Sequence, residues 1–335
     1  MVKRLLALFL IFSFVPVISA PASAAPERAK IGIIYDVGGR GDKAINDAAA
    51  AGVDSAKKKL GLSNFDVREL VTTGIDFDRE NRIEFLVKAK YDLVIGVGPS
   101  FNEAMIFMSE KYPESQFALI GSSGVESLNV SCMAFDLNQG AFLSGVTVAL
   151  NSKSKKVGYL GDASNPNNST NLQNFRAGVK YAAPKVQVIA ANSLASADAD
   201  IAAISGKGAD TFFINWSRNG SVLTAANKLA KAKKNIKLVG IRPDQYFIAT
   251  KEAQKFLIGY VNQRFDLAIF DLFSAAVSGR SITEEVDVKR GVFGRNYNLS
   301  NNGIDLISTT ANSTSKSAVS RAKVAIISKK ISIVK

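Results

Sequence analysis

Short apolar runs alternate with helical stretches along most of the chain, and this alternation restricts it to a small set of folds. Lys30-Ile31-Gly32-Ile33-Ile34-Tyr35 reads as a buried strand. A glycine-rich loop follows, and Asp42 can N-cap a helix from Lys43 to about Leu60, with Ile45, Ala49, Val53 and Ala56 as its apolar stripe. A strand near residues 65–70 and a helix over about 78–90 come next. Leu93–Val97 is a third strand, 102–111 a third helix and Phe117–Ile120 a fourth strand. The pattern then restarts. A helix over 139–150 leads to a strand at 157–160, a polar loop from Asp162 to Thr170 and a helix through Phe175 to Tyr181. Strands at 186–190, 211–214 and 237–241 follow, with a helix over 222–231. Such spacing predicts an α/β chain of two doubly wound parallel-sheet lobes with an interlobe cleft, where ligands sit beyond the carboxyl ends of the strands.

The first 24 residues read as an address. Lys3 and Arg4 precede an apolar run from Leu5 to Val17, too short to span a membrane, and Ala22-Ser23-Ala24 is a small-x-small cleavage site. A signal peptide over 1–24 predicts an exported protein, periplasmic or extracellular and associated with the cell surface. No cysteine follows the apolar run, so a lipid anchor is not expected. The chain has 335 residues, no histidine and one cysteine, Cys132. Histidine-based catalytic triads, histidine-held zinc, intrachain disulfides and cysteine-held clusters are therefore excluded, and neither cofactor nor metal is expected. The formal charge of +13 is spread along the sequence, which argues for loose contact with anionic surfaces and not for nucleic acid. From Ser313 onward there are six Lys/Arg and no acid. Their alternation with small residues suggests a solvated final helix in preference to a polyanion site.

Asp36 to Asp47 follows the first strand and opens the first helix. Its glycines allow a tight turn and close ligand approach, while Asp36 and Asn46 can offer polar groups to a cleft. A strand-to-helix turn with Asp42 as cap explains the same residues equally well. Gly96-Val97-Gly98-Pro99-Ser100-Phe101 begins like a dinucleotide fingerprint but lacks the third glycine, and no P-loop is present. Asp198 and Asp200 suit helix-start chemistry better than a catalytic pair. Trp216 stands in a polar setting at a strand's carboxyl end and reads as a ligand-stacking wall ahead of a core plug. Asp36, Asn46, Phe101 and Trp216 are the expected cleft lining.

The segment Asp-Val-Gly-Gly-Arg-Gly-Asp-Lys-Ala-Ile-Asn-Asp resembles the signature of the basic membrane protein family, solute-binding components of ABC importers that include the purine nucleoside receptors. Residues 139–146, 157–161, 175–179, 240–245 and 264–269 are similar to further pieces of that family, in the same order. The resemblance implies a periplasmic-binding-protein type I fold with three crossovers. It implies a first lobe of 28–135 and 258–290 and a second of 136–257 and 291–335. Carried over position by position, Asp36 and Asn46 are retained, and Lys43 lies in the same motif. Ile45 replaces an aromatic residue, Arg242 an Asp and Gln263 a Lys, while Trp216 can replace a missing ring. With Ser100 and Phe101 these form the expected ligand-binding set. An Asp accepts hydrogen bonds from a ribose, whereas Arg242 can only donate, which favours carboxylate or phosphate unless it turns to solvent.

The implied function is capture of a small polar or heteroaromatic, nucleoside-like ligand and its delivery to a membrane permease and ATPase. The receptor itself is expected to be a monomer. A sensor docking on a signalling receptor is the alternative. A carboxylate-driven enzyme is disfavoured, since no paired acid has a fitting context.

Overall fold

The computed structural model describes residues 28–335 except 43, 76, 164, 166, 194–196, 216–220, 233, 242–245 and 247–248. The first repeat of the alternation gives β1 (Ile31–Tyr35), α1 (Ile45–Leu60), β2 (Val67–Val71), α2 (Asp78–Lys88), β3 (Leu93–Val97), α3 (Asn102–Lys111), β4 (Phe117–Ile120) and β5 (Val130–Phe135). The second gives α4 (Leu137–Asn151), β6 (Lys156–Asp162), α5 (Asn168–Ala182), β7 (Gln187–Ser193), α6 (Ala197–Gly206), β8 (Thr211–Asn215), α7 (Ser221–Lys231), β9 (Lys237–Gly240), α8 (Lys251–Gln254) and β10 (Leu257–Gln263). The chain finishes with α9 (Phe265–Val277), β11 (Glu284–Asp287), β12 (Val292–Tyr297), β13 (Ile304–Ser308) and α10 (Ser313–Ile327).

Two sheets form, ordered β11-β12-β5-β4-β3-β1-β2 and β13-β10-β9-β8-β6-β7. Neighbours run parallel except at one edge of each sheet, where β11 pairs antiparallel with β12 and β13 with β10. The apolar runs become central strands buried along their whole length, such as β1, β3 and β4. Each sheet carries a core on both faces. In the first lobe, α1 and α9 cover one face, where Ile33, Val53, Ile95 and Ile269 meet; α2 and α3 cover the other, with Ile34, Leu86, Phe101 and Met105. In the second lobe, α4, α5 and α10 seal a cluster around Tyr159, Phe175 and Val319, while α6 and α7 seal one around Phe212 and Leu238. Each fully buried side chain of this size contributes about 1.5–3 kcal/mol, so these four clusters account for the chain's stability without disulfides.

The lobe limits differ from those expected. Leu257–Gln263 pairs with β9 in the second sheet, and Val292–Tyr297 pairs with β5 in the first. The chain therefore crosses between lobes at 135–137, 263–265 and 297–304, and the divisions at 257/258 and 290/291 each fall one strand early. Nothing in an apolar run such as Leu-Ile-Gly-Tyr-Val specifies which sheet will take it; pairing decides that. The sheets are also mixed at their edges and not wholly parallel. The crossovers are tied by contacts of their own. Phe135 stacks on Tyr297 at 5.0 Å and lies 4.7 Å from Phe265. Asp136 N donates to Tyr297 O, Arg264 N to Gly303 O, and Leu299 N to Gln139 Oε1.

Candidate functional site

All three crossovers leave from carboxyl ends of strands, at residues 135, 263 and 297, so the carboxyl edges of the two sheets meet there. Within each sheet the order reverses beside the first strand of its lobe, between β1 and β3 and between β6 and β8. Such switch points open crevices at the carboxyl edge. Both are occupied by polar clusters.

At the first, Asp36 directly follows β1. Its backbone N–H donates to Asn46 Oδ1 at 3.0 Å, and its carbonyl accepts from Asn46 Nδ2 at 3.1 Å. Asn46 is 1% exposed and thus fastens the strand end to α1. The Asp36 carboxylate accepts from Arg79 Nη2 at 2.8 Å and from Ser100 Oγ at 2.7 Å. Burial alone would raise its pKa, but these donors overcome that and hold it below the ordinary carboxylate value. Arg79 also lies over the Phe101 ring at 5.4 Å. The β1–α1 loop passes through Gly38, Gly39 and Gly41, at φ of 98°, 54° and 96°, where a side chain would be strained. Arg40 ties this loop to Glu69 and Asp54, and Asp42 caps α1 by accepting from the backbone of Ala44, Asn46 and Asp47. Beside the cluster, Ile45, Phe265 and the positive-φ Gly121 lie in van der Waals reach; a methyl on Gly121 would stand 3.4 Å from Ile45 Cδ1 and 3.3 Å from the Phe265 ring.

At the second switch point, Asn215 Nδ2 donates to Tyr159 Oη at 2.9 Å, and Tyr159 Oη donates to Asn168 Oδ1 at 2.8 Å. Asn168 Nδ2 reaches Asn192 Oδ1 at 2.9 Å, extending the chain to the end of β7. Burial pushes the Tyr159 phenol well above its usual pKa, so it stays a donor. Gly161 makes room for Asn168, since a methyl there would lie 2.1 Å from Asn168 Oδ1. Gln263, half-buried at the end of β10, stands at the crossover opposite Ile304.

Of the sequence-predicted residues, the structure brings Asp36, Ile45, Asn46 and Ser100 to one switch point and Gln263 to the crossover. Phe101 requires a correction. It is fully buried in the α2–α3 core, beneath Gly96 and Met105, and does not line the cleft. A turn of 3₁₀ helix at 99–101 rotates it inward and leaves Ser100 exposed. Lys43, Trp216 and Arg242 lie outside the described residues. Sequence reasoning missed Arg79, which is indistinguishable from any other arginine in a first helical turn. It also missed the Tyr159–Asn168–Asn215 network, whose one signal is the asparagine-rich loop after β6. Among the described residues no helix is long and apolar enough to cross a membrane.

Two α/β lobes joined by three crossovers, with hydrogen-bonding clusters at both switch points, define a two-lobed solute-binding protein. A family model described as ABC transporter substrate-binding protein PnrA-like matches residues 29–253. The chain belongs to that family. It is 26% identical over 319 residues to the ABC transporter nucleoside-binding protein BmpA of Lactococcus lactis subsp. cremoris, covering 91% of this chain and 88% of that one. It is 25% identical over 263 residues to a CD4+ T-cell-stimulating antigen of Listeria monocytogenes, covering 74% of each chain. In fold it resembles the ABC transporter solute-binding protein of Conexibacter woesei, with a TM-score of 0.68 at 18% identity, over 91% of this chain and 98% of the other.

Proposed function

We propose that the protein captures a nucleoside-like molecule between its lobes outside the cytoplasmic membrane and hands it to the permease and ATPase of an ABC importer. The observation that carries this reading is the pair of polar clusters at the switch points, on the two sheet edges that the crossovers join. Family membership and the nucleoside-binding name of the Lactococcus relative support it. In this reading Asp36, Ile45 and Ser100 approach the ligand from the first lobe and Gln263 from the crossover, and Lys43 is assigned to the first half from sequence alone. Trp216 and Arg242 are assigned to the second half from sequence alone. Asn46 acts on the ligand through Asp36, since both ends of its amide are spent on the Asp36 backbone.

The ligand binds the closed arrangement more tightly and so shifts the population toward it. The protein binds without turnover, as a monomer, after removal of residues 1–24. Calorimetric titration with guanosine, inosine, adenosine and uridine tests the reading. At least one nucleoside is expected to bind in the micromolar range or tighter and to be recovered unchanged. No heat with any of them would overturn the nucleoside assignment. Chemical conversion of a bound nucleoside would overturn the non-enzymatic one.

A further inference from the structure

On one face of the second lobe the helices themselves carry no carboxylate side chain. Its helical layer consists of α4, packed between α5 and α10, and residues 137–151, 168–187 and 313–330 contain no Asp or Glu. The two outer stretches hold eight Lys and Arg. On α5 and the turn after it, Arg176, Lys180 and Lys185 are exposed; on α10, Lys316 and Arg321. The segment leaving α10 carries exposed Lys329 and Lys330, packs Ile331 and Ile333 onto the α4–α5 core, and reaches α5, where Asn174 exchanges two hydrogen bonds with the Val334 backbone. This segment joins the cations of α10 to those of α5 across buried α4. Of the eight, only Lys323 is drawn into an ion pair among the described residues, with Asp305. Apolar side chains lie among them: Val324 is 67% exposed, Ile327 47% and Tyr181 45%.

We propose that this face rests on an anionic phospholipid bilayer and holds the receptor at the membrane that carries its permease. Charge complementarity selects the occupant. Unpaired cations spread over a helical layer, with aliphatic and aromatic side chains between them, match an interface of anionic headgroups, where basic residues gain Coulomb attraction and small apolar groups enter the acyl boundary. A specific anion site would need convergent donors, and these cations diverge over two helices.

The test is co-sedimentation of the processed protein with vesicles of phosphatidylcholine alone or with about 30% phosphatidylglycerol. Binding is expected only to the anionic vesicles and is expected to fall steeply as salt rises from 0.1 to 0.5 M, since the Debye length shortens by about half. Each basic residue at such a surface strengthens binding about fivefold, so K316Q/R321Q/K329Q/K330Q should lose at least a hundredfold. The control K57Q/K58Q/K59Q, on α1 of the other lobe, should bind as the parent does. An unchanged far-UV circular dichroism spectrum and melting temperature in both variants would show that they fold, whether or not a nucleoside binds. Absence of binding to anionic vesicles would overturn the proposal. So would equal losses in the two variants, or binding to heparin with none to vesicles.

Discussion

At the residue scale, the cluster at the first switch point depends on an asparagine that is almost fully buried. Asn46 closes two hydrogen bonds on the Asp36 backbone, and its loss would leave the Asp36 N–H without its partner and the carbonyl with Gly39 N–H alone. Asn46→Ala is expected to cost about 1–3 kcal/mol in urea unfolding and to weaken ligand binding through a misplaced Asp36. Asp36→Asn tests the charge itself. Because the folded-state pKa of Asp36 lies below the unfolded value, its contribution to stability is complete above about pH 4 and is lost as the pH falls through the folded pKa. Unfolding of parent and variant at pH 7, 5 and 3 should show a gap that is constant between the first two and narrows at the third. Cys132 offers an independent reporter. It is fully buried, and burial pushes its thiol up, so a thiol-specific disulfide reagent should react with it only after denaturation.

At the element scale, the approach of α4 to α5 is set by two glycines. A methyl on Gly178 would lie 2.0 Å from the Phe142 carbonyl oxygen, and one on Gly145 2.2 Å from that of Phe175. Helix propensity favours alanine over glycine by about 1 kcal/mol, but neither backbone can yield without separating the helices. Gly178→Ala should therefore destabilise the second lobe by about 2 kcal/mol or more, while Gly206→Ala, whose methyl meets nothing within 4 Å, should stabilise it by up to about 1 kcal/mol. Thermal melting of the two variants checks the opposite signs. The elements themselves differ in how far they could be read. Phe117–Ile120 and 102–111 stand where expected; the four-residue apolar run carries its own signal, and the helix follows the preceding strand in the alternation. Strands β11, β12 and β13 were not expected. Glu284–Asp287, at the sheet edge, is polar, and Val292–Tyr297 beside it mixes Arg295 and Asn296 with apolar residues, so neither offers a continuous apolar run. The final helix is only half solvated, since Ala318, Val319, Ala322 and Ile326 join the core.

At the scale of the whole molecule, three crossings join the two lobes, and the proposed closure about them would change the shape of the protein. In small-angle X-ray scattering, saturation with a nucleoside that binds should reduce the radius of gyration, and the same ligand should raise the unfolding free energy by about 2.7 kcal/mol at a hundredfold excess over Kd. Stabilisation without compaction would mean that binding does not close the lobes. The aromatic contacts of Phe135 with Phe265 and Tyr297 bring together residues from all three crossings, so they can act as the pivot on which closure turns.

The sequence by itself determined the α/β class, the two-lobed repetition and most central strands, because periodicity and local caps are written in neighbouring residues. It also determined that Asp36 and Asn46 belong at a strand-to-helix turn, since that loop carries its own glycines and cap. The tertiary structure alone decided which sheet takes β10 and β12, that Phe101 packs inward while Ser100 faces out, and that Arg79 reaches Asp36 across 43 positions. It also gathered α5, α10 and the segment after them into one basic face. The physical reason is the same in each case: pairing, burial and charge clustering depend on residues far apart in sequence, and no local pattern encodes which of them will meet.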